Sequence, residues 1–345
     1  MKELTEQLDE QKRKVSFDTY DITVQQLIAM FRDGAIDVAP AYQRQYRWGT
    51  GRQSRLVESI FLGIPIPSLF MAADADGTWE LVDGVQRLLT LIHFSSEQEI
   101  RIKAGFNSVL RLVELEKLST FNGKTFDDLP RSVQLQFLLR PIKVVTLNDK
   151  SDLVVRFDLF ERLNTGGVPL TAQEIRSCIY RGTFDEFLER LSRLKSFNAV
   201  VRLPQSGEKD GTRQEYVLRF FAYLHRYHDF KHSVLDFLNE YMADASKDFD
   251  YEVNERLFEE TFRALAKILP KGLSRRSNRT TPANLYEAVA VGAALALKKR
   301  GAIRGTGISD WLSSEELRKL TTGATNSPKM VAGRIHFCRD RFLEK

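Results

Sequence analysis

The sequence has few of the features that build extracellular, membrane-spanning or cysteine-ligated metal proteins. Only two of its 345 residues are cysteines, Cys178 and Cys338, and no Cys-x-x-Cys pairing occurs. This argues against a disulfide framework and against a cysteine-built zinc site. Nowhere do about 18 apolar residues follow one another, and the first residues are charged without an apolar segment, so we expect neither a membrane span nor secretion. These absences favour a cytoplasmic protein.

Several common catalytic and nucleotide-binding motifs are also missing. The sequence contains no Walker A loop, no Gly-x-Gly-x-x-Gly turn, no Gly-x-Ser-x-Gly elbow and no His-Glu-x-x-His helix. Nucleophilic catalysis by serine or cysteine therefore has no support in the sequence. Any use of a nucleotide must take place on a less common fold.

Basic residues are concentrated in one part of the chain. The whole sequence has 51 basic and 46 acidic residues, and the resulting charge of +5 is too small to indicate nucleic-acid binding by itself. Between residues 271 and 304, however, Glu287 is the one acidic residue among eight basic ones. Such a concentration fits a surface for DNA or an acidic partner, but also a solvated face. The candidate DNA contacts are Arg275, Arg276, Lys298 and Lys299.

The length and the apolar periodicity predict an α+β protein of two domains. We expect a small mixed sheet with helices over residues 1–165, followed by an all-helical domain over 166–345. Predicted helices of the first domain cover 24–31, 52–62 and 88–94, and predicted strands cover 68–71, 79–82 and 142–147.

The segment Tyr42–Trp48 interleaves arginines, aromatic rings and amides. Guanidinium groups bind phosphate through paired donors, and aromatic rings stack on nucleobases. The alternative is that the rings pack internally while the arginines bind nearby oxygens. The candidate nucleotide contacts in this segment are Gln43, Arg44, Tyr46, Arg47 and Trp48.

A second candidate is the segment 79–87, where a predicted strand leads through Asp83 and Gly84 into a predicted helix. Helix N-termini bind phosphate, Gly84 permits close approach, Arg87 adds positive charge, and Asp83 is suited to a divalent cation or an attacking water. The alternative is a capping box with Asp83 as N-cap and Gln86 at the third helical position. That interpretation leaves Arg87 unexplained.

Two further patterns are weaker. Paired glycines within 160–171 allow close ligand approach but also simply end helices, and Thr171 with Glu174 predicts a capping box for the next helix. His225, His228 and His232 are spaced to share one helical face, a geometry that can bind zinc. With five histidines in the chain, chance alignment explains the spacing better.

The motifs at 42–48, 63–67 and 83–87, taken in order, resemble the N-terminal domain of GmrSD-type modification-dependent restriction enzymes. That family has Tyr-Gln-Arg-x-Tyr-x-Trp, Gly-Ile-Pro-x-Pro and Asp-Gly-Gln-Gln-Arg segments. Later blocks at 160–167 and 170–176 extend the resemblance, which covers most of residues 20–225.

The resemblance implies a ParB/sulfiredoxin-like core with a helical extension, and a role in antiviral defence by restriction of foreign DNA. It also implies catalytic roles for Asp83, Gln86 and Arg87, nucleotide contacts at Gly84 and Asn164, and Mg²⁺ bound through Asp83 with a nucleoside triphosphate. Val85 replaces the family's first glutamine, which places hydrolysis in doubt more than binding.

Three functions stay open from the sequence. The first is a nucleoside triphosphatase that controls restriction, the second a noncatalytic sensor of DNA or nucleotide, and the third a direct ParB-like nuclease. No HNH nuclease module is recognisable after the helical part. DNA cleavage would then need a nuclease partner or the ParB-like core itself.

Overall fold

Strands occur only in the first part of the described chain, whereas the second part is helical. The computed structural model describes residues 4–5, 16–38, 48–73, 76–147, 157, 162, 171–204, 207, 210–274, 280–323 and 325–344. The chain divides into two compact units, Met1–Pro169 and Leu170–Lys345.

The first unit is built on a mixed five-stranded sheet. The strands are β1 (Phe17–Thr23), β2 (Ile36–Asp37), β3 (Leu69–Ala73), β4 (Trp79–Asp83) and β5 (Pro141–Leu147). They lie in the order β1-β5-β3-β4-β2. Strand β1 pairs antiparallel with β5, and β5 pairs parallel with β3. Strands β3 and β4 form an antiparallel hairpin, and β2 runs parallel to β4.

In the described part of this unit, five helices with defined bounds and a short 3₁₀ turn, Ser119–Phe121, accompany the sheet. Thr23 caps the first helix by accepting a hydrogen bond from the Gln26 amide, and Gly63 ends the second with φ of 70°. The helices are α1 (Val24–Arg32), α2 (Thr50–Leu62), α3 (Val85–Ser95), α4 (Gln98–Lys103) and α5 (Arg131–Leu138).

The central strands and α3 form the core of the first unit. Leu69, Met71 and Val144 on β3 and β5 are fully buried. Most of α3 is buried too, including Leu88 and Leu91, which have no exposed surface. The start of α3 is therefore fixed by the packing of the helix behind it.

The secondary-structure elements described in the second unit are all helices. Thr171 and Glu174 form the predicted capping box at its first helix, with both reciprocal hydrogen bonds present. Its helices are α6 (Ala172–Ile179), α7 (Thr183–Ser192), α8 (Lys195–Val200), α9 (Thr212–Arg226), α10 (Val234–Ala245), α11 (Tyr251–Ile268), α12 (Ala283–Arg300), α13 (Ile308–Leu312), α14 (Glu315–Thr321) and α15 (Pro328–Leu343).

A core rich in phenylalanine and tyrosine holds these helices together. Helix α12 is buried over most of its length and packs against α15, where Gly292 lies so close to Cys338 that a Cβ would meet its Cβ at 2.8 Å. Both cysteines, Cys178 and Cys338, are buried, and neither forms a disulfide in the described part of the chain.

The predicted fold class, a small mixed sheet with helices followed by an all-helical part, is confirmed. Kinship with ParB or sulfiredoxin stays a prediction. The expectation that three histidines share a helical face is wrong, because α9 ends at Arg226 and leaves His228 and His232 outside it. His225 instead contacts the Tyr241 hydroxyl and the Asn254 side-chain oxygen.

Candidate functional site

The turn formed by residues 83–87 connects β4 to α3. Asp83 is the last residue of the strand, and Gly84 precedes the helix with φ of 98°. A side chain at Gly84 would place its Cβ 2.4 Å from a Leu69 methyl carbon. Both the left-handed backbone and the close packing therefore require glycine here.

The alternative interpretation of this turn, a capping box formed by Asp83 and Gln86, is wrong. Gly84, not Asp83, is the N-cap residue, and no side chain caps α3 among the described residues. Asp83 lies one position too early in the chain for this role because β4 continues through it. Its carboxylate instead accepts a hydrogen bond from Arg87, with 2.6 Å between Oδ2 and Nη2.

Arg87 lies against the start of its own helix. A Cβ on Gly84 would be 3.0 Å from Nη2 and 3.1 Å from Nε, so the guanidinium packs over that glycine. The Arg87 side chain is 11% exposed and that of Asp83 35%. The buried Nε of Arg87 has no hydrogen-bond partner among the described residues. A cation with a free donor thus adjoins the positive end of a helix dipole, an arrangement suited to an anion.

Gln86 connects the turn to the end of the aromatic-arginine segment. Its side-chain oxygen accepts a hydrogen bond from the Trp48 backbone amide at 3.1 Å. The Arg52 guanidinium lies over the Trp48 ring, 4.4 Å from its centroid. The structure thus brings Trp48, Gln86 and Arg87, separated by up to 39 positions in the sequence, to one place.

Gln53 and His93 adjoin this group, and sequence reasoning missed both. Gln53 donates from Nε2 to the Trp48 carbonyl oxygen at 2.9 Å, and its Oε1 lies 2.8 Å from His93 Nδ1. Both side chains are buried. The available signal was a glutamine and a histidine on otherwise apolar helix faces, which is too common a pattern to single out a site.

The remaining predicted nucleotide contacts cannot be placed against this group. Five of the residues predicted to contact nucleotide, and two predicted to contact DNA, lie outside the described residues. They are Gln43, Arg44, Tyr46, Arg47, Asn164, Arg275 and Arg276.

Lys298 and Lys299 are exposed in the last turn of α12. Cations in this position also complement the negative end of a helix dipole. Glu287, the one acidic residue of the basic segment, is fully buried and does not offset the surface charge of these lysines.

Glu287 belongs to a buried network of ion pairs in the second unit. It pairs with Arg219 at 2.6 Å and with Arg334, while Glu215 pairs with Arg219 at 2.8 Å and with Arg176 at 3.1 Å. Burial raises the pKa of Glu215, but Arg219 and Arg176 outweigh it, so the pKa is lowered overall. Arg176 thus stabilises the helical core, where its side chain is 1% exposed.

A metal ion at the 83–87 turn would have one carboxylate ligand, Asp83. The described residues contain no group of three or more His, Cys, Asp or Glu side chains able to hold a metal. Mg²⁺ commonly binds through one or two carboxylates together with substrate phosphates. The turn therefore fits Mg²⁺ that arrives with a phosphate ligand better than a metal held by the protein alone.

The family of the first unit follows from its sequence. Residues 24–181 match the model of the GmrSD restriction endonuclease N-terminal domain. This part of the chain belongs to that family. The GmrSD N-terminal domain so defined contains the whole 83–87 turn, Trp48 and the first helix of the second unit. The match indicates a component of a restriction system.

No curated protein matches the chain. Of the helices described above, none combines the length and apolarity needed to cross a bilayer.

Proposed function

We propose that the GmrSD N-terminal domain of this protein binds a nucleoside triphosphate at the 83–87 turn and hydrolyses it to control restriction of foreign DNA. The observation that supports this most directly is the buried Arg87 guanidinium, which Asp83 holds beside the start of α3 and whose Nε has no hydrogen-bond partner in the described part of the chain. Phosphate oxygens would accept from this guanidinium and from the first amides of the helix.

The roles of the turn residues follow from their positions. Arg87 binds phosphate, and Gly84 lets the Arg87 guanidinium lie close over the backbone at the start of α3. Asp83, half-exposed, faces the same guanidinium and would hold Mg²⁺ through its carboxylate. The bound ion would neutralise phosphate charge. Trp48, fixed by Gln86, presents a ring for stacking on the base.

The test compares Arg87→Ala with the parent protein by calorimetric titration of each of the four nucleoside triphosphates, with and without Mg²⁺. Charge-assisted phosphate contacts contribute about 1.5–3 kcal/mol, so we expect at least a tenfold loss of affinity. Arg32→Ala is the matched control, because Arg32 is an exposed arginine of the same unit that also pairs with an aspartate, Asp33.

Unfolding curves and Arg87→Lys, which keeps the charge, separate loss of a contact from loss of the fold. Equal affinity in the parent and in a folded Arg87→Ala variant would refute the assignment. Incubation of the parent with DNA and Mg²⁺ distinguishes the other functions: cleavage without nucleotide indicates a direct nuclease, and nucleotide binding without turnover indicates a sensor that acts with a nuclease partner.

A further inference from the structure

A series of polar contacts leads from the interior of the first unit to the 83–87 turn. His93 Nε2 lies 3.0 Å from the Ser108 carbonyl oxygen, and Nδ1 lies 2.8 Å from Gln53 Oε1. Gln53 Nε2 donates to the Trp48 carbonyl oxygen at 2.9 Å. The Trp48 amide then donates to Gln86 Oε1 at 3.1 Å. We call these four contacts the Ser108–Gln86 relay.

The chemistry of the groups decides the direction of each bond in the relay. A backbone carbonyl only accepts, so Gln53 must present its NH₂ group to Trp48 and its oxygen to His93. His93 must therefore carry a hydrogen on Nδ1, and because the Ser108 carbonyl also only accepts, the Nε2 contact becomes a hydrogen bond only when the ring carries a hydrogen on both nitrogens. The imidazole is also stacked on Phe106, with 4.0 Å between ring centroids and 4° between planes. The ring that starts the relay is thus held in one plane.

We propose that His93 and Gln53 are positioning residues, which orient the Trp48 backbone on both sides of its Cα and through it the Gln86 side chain toward a ligand at the 83–87 turn. The inference rests on the proposed function for what that ligand is. Its structural part stands independently, because Trp48 lies between Gln53 and Gln86 whatever binds. Without Gln53 the Trp48 carbonyl loses the donor that this side chain supplies.

The electrostatic surroundings of His93 are consistent with a neutral ring that uses Nδ1–H. Burial lowers its pKa, and the Arg101 guanidinium on α4 lowers it further, although the Ser108 carbonyl opposes this. Arg101 itself donates to the Ser96 carbonyl oxygen. When the ring gains a proton, Nε2–H becomes a second donor toward Ser108 and the contact to Gln53 is retained.

Exchange of the Trp48 amide hydrogen in the full chain, followed by ¹⁵N NMR, tests the structural part. Gln53→Met removes both polar contacts of residue 53, and His93→Phe keeps an aromatic ring at residue 93 but removes the Nδ1–H donor. We expect Trp48 exchange to accelerate roughly fivefold to tenfold in each. Ser95→Ala is the matched control, since it removes a hydrogen bond to the Leu91 carbonyl on the same helix and should leave Trp48 unchanged.

Nucleotide measurements test the functional part. With MgATP and MgGTP, we expect kcat to fall about tenfold in Gln53→Met while Kd changes less than threefold, because Arg87 keeps its phosphate contact. Gln53→Glu should resemble Gln53→Met, since a carboxylate still accepts from His93 but cannot donate to Trp48. A purely structural role predicts instead that loss of activity follows loss of stability across these variants.

The outcomes are separable. Unchanged Trp48 exchange in folded Gln53→Met overturns the relay, whatever the nucleotide result. Faster exchange with parental kcat overturns the positioning role. Absence of nucleotide binding by the parent overturns the proposed function alone, and the exchange data then decide whether the relay orients Trp48. Should His93→Phe not fold, Gln53→Met provides the decisive comparison.

Discussion

Val85 is the residue at which this chain departs most clearly from the Asp-Gly-Gln-Gln-Arg segment of its family. It is the first residue of α3 and is 9% exposed. An amide in this position would lie in the first turn of α3, directly after Gly84 in the chain. The substitution removes a polar group from the site without disturbing the ion pair between Asp83 and Arg87.

We therefore expect Val85→Gln to raise the rate of phosphate release under Mg²⁺ while nucleotide affinity stays within about threefold, because a restored amide can order the attacking water. Burial of the amide should lower the free energy of unfolding by roughly 1–3 kcal/mol. Phosphate release, calorimetry and urea unfolding measure the three quantities. Val85→Ala, which removes the side chain without adding an amide, should not raise turnover. A folded Val85→Gln variant with parental turnover would count against water positioning.

At the scale of the secondary-structure elements, the junction of α6 and α7 contains a carboxyl group whose surroundings disfavour its ionised form. Asp185, in the first turn of α7, accepts a hydrogen bond from the Ser177 hydroxyl at 2.7 Å. Burial raises its pKa to about 6, and the serine only partly opposes the shift. The folded state thus favours the protonated form, so ionisation of Asp185 weakens the junction.

The consequence is a loss of stability as pH rises. A folded pKa above the unfolded one adds stability below about pH 4, and this contribution is lost as pH rises through about 6. We expect Asp185→Asn to match the parent below pH 4 and to exceed its free energy of unfolding by about 1–3 kcal/mol at pH 7.5. Urea unfolding across this range tests it, with exposed Glu186→Gln as control. Parallel curves for the parent and Asp185→Asn would contradict the assignment.

In the whole molecule, the family match and the concentration of basic residues fall in different parts of the chain. The family match ends at residue 181, while the basic segment 271–304 lies in the helical unit beyond it. Exposed Lys298 and Lys299 belong to that segment, and its acidic residue Glu287 is buried in ion pairs. We infer from this that the helical unit contacts DNA, independently of any nucleotide at the 83–87 turn.

Counterion release makes such binding steeply dependent on salt, with log K falling by about 0.9 per neutralised phosphate. We expect Lys298→Glu with Lys299→Glu to weaken duplex DNA retention on filters and to flatten its salt dependence, while nucleotide affinity stays unchanged. Lys231→Glu with Lys247→Glu is the matched control, because these lysines are exposed in the same unit but lie outside the segment. Identical retention by the parent and the first variant across a salt series would assign the lysines to a solvated face or a protein partner.

Local sequence patterns determined several elements of the two units. The hairpin, the strand-to-helix turn with its glycine, and the capping box of Thr171 and Glu174 were all predictable. Each depends on residues within a few positions of one another, and backbone propensity and capping act over that range. The same locality explains why the capping-box interpretation of Asp83 is wrong. One local sequence fits both a capping box and a strand that ends before a glycine. Pairing of β4 with β3 through Asp83 decided between them.

Tertiary structure alone decided what the polar side chains contact. The pairs Gln53–His93 and Trp48–Gln86 join residues 40 and 38 positions apart, and Glu287 meets Arg219 and Arg334 across 68 and 47 positions. No periodicity encodes such partners, because they depend on which helices pack together and at what rotation. The sequence by itself therefore determined that a glycine turn with Asp83 and Arg87 precedes a helix, whereas packing decided that Arg87 folds back over Gly84 and that Gln86 is held from the protein interior.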